Sequence, residues 1–95
     1  MLEISSLREL EVFRATVFSS SATAAAERLG ISHPSISRIL ANIEQRMGMI
    51  LFLRQNGRLV PTAEAFALND ELETVFEGLE RVRHLAAEAD ALRGG

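Results

Sequence analysis

The sequence contains no cysteine. That absence removes disulfide staples, thiol nucleophiles and cysteine-ligated zinc or iron–sulfur centres together, so any core must hold by packing alone. Histidine is scarce, with only His33 and His84. His84 has no Cys, His or Asp partner at ligand spacing and reads as a solvated side chain, so no metal site is expected. There is no long apolar run either. Residues 1 to 6 show no basic start followed by an apolar stretch, and nothing approaches the roughly 18 to 20 apolar residues that cross a bilayer. A cytoplasmic, bacterial, nucleoid-associated location follows as the expectation. Lysine is missing too: all ten basic residues are arginine. Arginine forks bidentately to phosphate or guanine where lysine offers a point charge, although an arginine-biased genome is the simpler source of this usage.

What is present is 95 residues at 47% hydrophobic content, enough for one small core that gains from oligomerising. The net charge of -3 argues at first sight against a polyanionic partner. Its distribution reverses the argument. Residues 1–61 hold seven Arg against five Glu, whereas residues 62–95 hold three Arg against eight acids. Between Arg28 and Arg58 there are five Arg (Arg28, Arg38, Arg46, Arg54, Arg58) and a single acid, Glu44, which suits a locally cationic face meeting phosphates. Arg28 is the exception in that set, because pairing with Glu27 or Glu44 in a surface network suits it as well.

The chain divides by its punctuation. Ser6, with Glu9 three residues on, forms a capping box ahead of a helix carrying Leu7, Leu10, Phe13 and Val17 at helical spacing. That helix ends in Ser19-Ser20-Ser21. Ser21 caps a short alanine-rich helix over 22–29 closed by Gly30, and Ile31 follows as a buried plug. Ser32 caps a third helix with Pro34 in its first turn, an inward stripe of Ile36, Leu40, Ile43 and Met47, and Gly48 at its end. Two short helices joined by a Gly-containing turn make a helix-turn-helix, the second helix being the one that enters a major groove. Segments 50–54 and 57–61 flank Gln55-Asn56-Gly57, a strong hairpin signal, and predict a two-stranded wing. From Thr62 the pattern becomes a seam of Leu68, Leu72, Val75, Leu79, Val82, Ala86 and Ala89 in steps of four and three. Some thirty helical residues at about 1.5 Å each make a rod of roughly 45 Å. So long a rod should meet another chain through these residues and Phe76, with packing on its own domain confined to the first turns around Phe66. The expected fold is mainly α: a winged helix-turn-helix over residues 1–61, then a linker dimerisation helix over 62–93.

Ala25-Ala26-Glu27-Arg28-Leu29, Ser32-His33-Pro34-Ser35-Ile36-Ser37-Arg38, Ile43-Glu44, Gly48 and Leu51-Phe52-Leu53-Arg54 together resemble the N-terminal domain of LysR-type transcriptional regulators. Their order and spacing over residues 7–92 carry the resemblance. The run from Gly57 to Ala65 and that from Phe76 to Glu80 are similar to the branch holding the lysine-biosynthesis and opine-catabolism activators. The resemblance implies a sequence-specific regulator of double-stranded DNA that reads a partly palindromic site, pairs its linker helices antiparallel in a homodimer and assembles as a tetramer at full length. It also implies a C-terminal effector-binding domain for a small-molecule inducer. That domain is absent from this chain, which is either truncated near a hinge at Arg93-Gly94-Gly95, the favoured expectation, or an unusually short protein; no cofactor is expected in the chain itself. His33 stands where the family usually has Gln, which puts base preference there in doubt. Ile39, Ala41 and Asn42 follow Arg38 where the family often has Lys or Arg, which lowers the expected non-specific affinity.

The candidate DNA-binding residues are Thr23, His33, Pro34, Ser35, Ser37, Arg38, Asn42, Arg54 and Arg58. Arg38 lies off the apolar stripe, placed to fork to guanine or pair with phosphate. Ser35 and Ser37 can donate to phosphates or bases, whereas Ser32 is first a cap. Pro34 suits either an apolar contact with a thymine methyl or sugar, or the start of the helix. Thr23 suits either a phosphate contact at a helix N-terminus or a secondary cap. Arg54 and Arg58 would set guanidinium groups beside the backbone or in a narrow minor groove. Catalysis is not expected, because neither histidine has a nucleophile and an orienting partner beside it. The rival reading is a protein-interaction module using the winged fold and the acidic helix. Sequence-indifferent packaging of DNA would need far more positive charge than the first 61 residues carry.

Overall fold

The computed structural model describes residues 6–94; residues 1–5 and Gly95, the last residue of the expected hinge, lie outside the described residues. Four helices and one antiparallel ribbon follow in the order α1 (Leu7–Ser19), α2 (Ala22–Leu29), α3 (His33–Met47), β1 (Phe52–Gln55), β2 (Arg58–Pro61) and α4 (Ala63–Gly94). The chain is mainly α with a two-stranded wing.

Each boundary has a local chemical cause. Ser6 Oγ accepts from Glu9 N at 3.2 Å while Ser6 N donates to Glu9 Oε1 at 3.0 Å, so the capping box satisfies amides that the first turn of α1 leaves free. Ser21 Oγ accepts from Ala24 N at 3.1 Å and Ser32 Oγ from Ser35 N at 3.2 Å, starting α2 and α3 in the same way. Gly30 and Gly48 close those helices in the left-handed region. Asn56 and Gly57 both take positive φ, 52° and 76°, so the β1–β2 turn twists in the sense of the strands it joins. Cα partners run from Phe52 opposite Pro61 to Gln55 opposite Arg58.

The core lies between α1, α2, α3 and the base of the ribbon. Phe13, Ile36, Ile43 and Leu51 are wholly buried, and the Phe13 ring meets Phe52 edge-on with centroids 5.7 Å apart. Thr16 is equally buried, its hydroxyl donating to Val12 O at 2.8 Å. Ile31, expected as a buried plug, is only half-buried at the edge of this cluster. β1 begins at Phe52 rather than Ile50, and Ile50 is 62% exposed. The Leu51 and Phe52 amides are bound by Glu44, while Leu51 O accepts from Thr62 N at 2.9 Å.

α4 departs most from expectation. Thr62 caps it, accepting from Ala65 N at 3.2 Å and donating to Ile50 O at 2.8 Å. Ala65, Asn69 and Leu72 are the buried residues of this helix, while Phe66 is 53% exposed. The face turned to the domain is therefore one residue out of phase with Phe66. Leu72 is 7% exposed within its own chain, and Leu68 and Phe76 pack partly against the same core. This corrects the assignment of Leu72 to a partner: its surface is already covered, and packing on the domain continues to Phe76. There the Arg14 guanidinium sits 4.8 Å from the Phe76 ring centroid and 5.6 Å from that of Phe18, clasping the rod to α1 where it leaves the domain. α4 also runs through Arg93 and Gly94, so those two expected hinge residues are helical.

Candidate nucleic-acid interface

With a turn of about 100° per residue, the buried stripe of α3 (Ile36, Leu40, Ile43) fixes which side chains face outward. Pro34, Arg38 and Ala41 lie opposite that stripe, and all three are exposed. Gln45 shares their face and is exposed too. Sequence reasoning passed over Gln45, although its place one turn beyond Ala41 was visible in the 3.6-residue period.

The flanks of this face differ. Ser37 lies on the side of the wing, where it lines a groove with Ala41, Glu44 and Arg54. Ser35 and Asn42 lie on the other side, each half-buried. The Ser35 hydroxyl accepts from Ser32 Oγ at 2.9 Å, which leaves its own proton free to donate outward. His33 stands exposed as the first residue of α3, beside that helix's N-terminus. Thr23 is exposed in the first turn of α2, and because Ser21 already accepts from Ala24 N, the cap of α2 does not depend on it.

The wing splits the two arginines expected to act together. Arg54 lies opposite Leu59 and shares a face with Phe52, so it turns toward α3, whereas Arg58 lies opposite Gln55 on the other face near the turn. Arg54 therefore belongs with the recognition helix and Arg58 with the tip.

Charge pairing trims the cationic set. Arg46 binds Glu9 Oε1 at 3.3 Å, linking α3 to the capping box of α1, so a carboxylate partly offsets its charge although its side chain stays 41% exposed. The Ser6 backbone amide, helped by Arg46, holds the Glu9 carboxyl below its ordinary pKa against the opposing effect of burial. Arg28, Arg38, Arg54 and Arg58 form no ion pair among the described residues. The expected pairing of Arg28 with Glu27 or Glu44 is thus not made. Glu44 binds backbone amides instead, a role that sequence reasoning missed.

Along α4, Val75 and Val82 are exposed at 46% and 59%, Leu79 is half-buried, and Ala86 and Ala89 are exposed. Leu85 and Leu92, outside the expected seam, are also exposed and widen the apolar stripe toward its far end. His84 approaches Glu80 at 3.9 Å on the rod surface. Among the described residues no group of His, Asp and Glu is placed to hold a metal ion, and no helix is long and apolar enough to cross a membrane.

Residues 7–66 match the family described as "Bacterial regulatory helix-turn-helix protein, lysR family". The chain belongs to the LysR family. It is 38% identical over 89 residues to the transcriptional activator protein LysR of Escherichia coli K12, covering 94% of this chain and 29% of that protein. It is 38% identical over 82 residues to the octopine catabolism/uptake operon regulatory protein OccR of Rhizobium meliloti, covering 86% of this chain and 28% of the relative. It therefore spans less than a third of the length of these LysR-family relatives. Among solved structures, the CbnR DNA-binding domain bound to DNA superposes with a TM-score of 0.79 at 27% identity, over 90% of this chain and 98% of that one. The BenM DNA-binding domain on its benA site 1 DNA gives 0.80 at 26% identity, over 90% and 99%. This LysR-family chain thus has the fold of the DNA-binding domains in those two complexes.

Proposed function

We propose that this chain is the DNA-reading part of a sequence-specific transcriptional regulator that grips double-stranded DNA as a homodimer. The observation that carries this reading is the outward face of α3. It exposes Arg38 beside small or flat side chains, with Ser37 and Arg54 along one edge, and among the described residues no acid pairs with Arg38 or Arg54. In this reading α3 enters the major groove, Arg38 reads a guanine or holds a phosphate, and the wing arginines meet the backbone or a narrow minor groove. Catalysis plays no part, and the site of action is the nucleoid in the bacterial cytoplasm.

The dimer in this reading forms through α4 from Val75 onward, along Val75, Leu79, Val82, Ala86 and Ala89. Charge supports an antiparallel pair: from Ala63 to Glu80 the helix holds six acids and no base, whereas Arg81, Arg83 and Arg93 lie in its second half. Pairing antiparallel along these residues sets Arg93 beside the acidic half of the partner helix, while a parallel partner sets the two acidic halves against one another. Two-fold symmetry of this kind calls for a partly palindromic operator.

Selection of bound sequences from a random duplex pool tests the reading, followed by titration of the selected duplex against a scrambled one at two salt concentrations. A two-fold motif bound more tightly than the scrambled duplex, with affinity falling steeply as salt rises, is expected. No enrichment at either salt concentration would overturn it.

A further inference from the structure

Glu44 is the single acid between Arg28 and Arg58, and the DNA-binding reading gives it no contact of its own. Its backbone carbonyl accepts from Gly48 N at 2.9 Å and Met49 N at 3.2 Å, closing α3. Its side-chain Oε2 accepts from Leu51 N at 2.8 Å and Phe52 N at 3.2 Å. One residue thereby ties down four amides of the segment that leads from the recognition helix into the wing. Hydrogen bonds to a carboxylate are shorter and stronger than those between neutral groups, and these end on residues that cannot drift. Leu51 is wholly buried and Phe52 is nearly so, its ring packed against Phe13.

Arg54 follows Phe52 by two residues, on the same face of β1. It lines the groove that holds Ser37, Ala41 and Glu44, yet it makes no ion pair with Glu44. The carboxylate thus fixes the strand without neutralising its arginine. The other strand is held differently, by Leu59 N donating to Ser20 O at 3.1 Å, a bond between backbone atoms that involves no side chain. The Thr62 hydroxyl holds two carbonyls of the approach to β1, Ile50 O at 2.8 Å and Leu51 O at 3.3 Å, and Glu44 is the side chain that holds its amides.

We propose that Glu44 is a positioning residue for DNA binding: its carboxylate sets the path of β1 so that Arg54 presents its guanidinium to the duplex alongside α3. The proposal rests on the DNA-binding reading above. It differs from a purely stabilising role because the effect of Glu44 on affinity must pass through Arg54.

The experiment uses the whole chain and its variants Glu44→Ala, Glu44→Gln, Arg54→Ala and the double variant Glu44→Ala/Arg54→Ala, titrated with the selected operator duplex. Arg54→Ala is expected to weaken binding about tenfold, the scale of one charged hydrogen bond. Glu44→Ala should lose a similar factor, and the double variant should be no weaker than about twofold beyond either single one. Glu44→Gln, which keeps a carbonyl oxygen to accept from the two amides, should stay within roughly threefold of the parent. Losses that multiply in the double variant would overturn the proposal, as would Glu44→Ala binding like the parent. A second measurement needs no DNA: backbone ¹⁵N relaxation of the free chain. Amides 52–58 should loosen in Glu44→Ala while those of α1 do not change, and an unchanged wing would overturn the proposal. If Glu44→Ala does not fold, Glu44→Asp, one methylene shorter, takes its place in both measurements. Failure of the parent chain to select any duplex would instead count against the DNA-binding reading, and the relaxation data would still decide whether Glu44 holds the wing.

Discussion

Single side chains in this domain carry separable duties. Arg38 stands on the outward face of α3 with no acidic partner among the described residues, so removing it takes away a contact without unbalancing the fold. Arg38→Ala should cost on the order of 1 to 3 kcal/mol in binding to the selected operator, read by competition titration, with the melting temperature of the free protein unchanged. Unaltered operator affinity would remove Arg38 from the reading set. Glu9 has the opposite kind of duty. Its folded-state pKa lies below the unfolded value, held there chiefly by the Ser6 amide and further by Arg46. The stability it contributes is thus complete above the unfolded pKa and is lost as pH falls through the lowered folded one. Glu9→Gln should lower the melting temperature at neutral pH and flatten the acid limb of the stability–pH curve. A parallel shift of the whole curve would assign that limb to other carboxylates.

At the scale of elements, α1, α2, α3 and the hairpin turn could be read from the sequence because their signals are local. Ser6 with Glu9, Ser21, Ser32, Gly48 and the pair Asn56-Gly57 each act within a few residues of themselves. α4 was legible as a helix but not in its facing. Leu68, Leu72 and Phe76 turn toward the domain while Val75 and Val82 turn away, and in the sequence both sets belong to one apolar stripe. Only the placement of α1 separates them. Glu44 and Arg46 were misread for a related reason: a count of charges cannot say which carboxylate has a backbone amide within reach. The facing of α4 gives a paired prediction. Leu72→Ala should destabilise the fold by about 2 to 5 kcal/mol in chemical denaturation, the range for a truncated core leucine. Val82→Glu should leave the domain folded and yield monomers in sedimentation. A Val82→Glu dimer would move the partner contact to another face of the rod.

For the molecule as a whole, the candidate site is a composite of elements placed by one shared core and by a few bonds at their junctions. The exposed face proposed to meet DNA is supplied by α3. Glu44 Oε2 fixes the wing to it, Ser20 O fixes the wing to the α1–α2 junction, and Arg14 clasps the rod with Phe18 and Phe76. A dimer adds a second copy of this assembly at a distance set by the rod, and hence sets the separation of the two half-sites.

The handover at Phe76 also divides one unbroken helix into two thermodynamic regimes. Up to that residue, amide protons of α4 are protected by the folding of a single chain, so their exchange with deuterium should not depend on how much protein is present. With the rod paired as proposed, exchange beyond Leu79 should quicken on dilution, because an isolated helical end of this length is marginal in water. Pairing of that kind would make the far half of one helix report how much protein is present, while the packed half reports only the folding of its own chain.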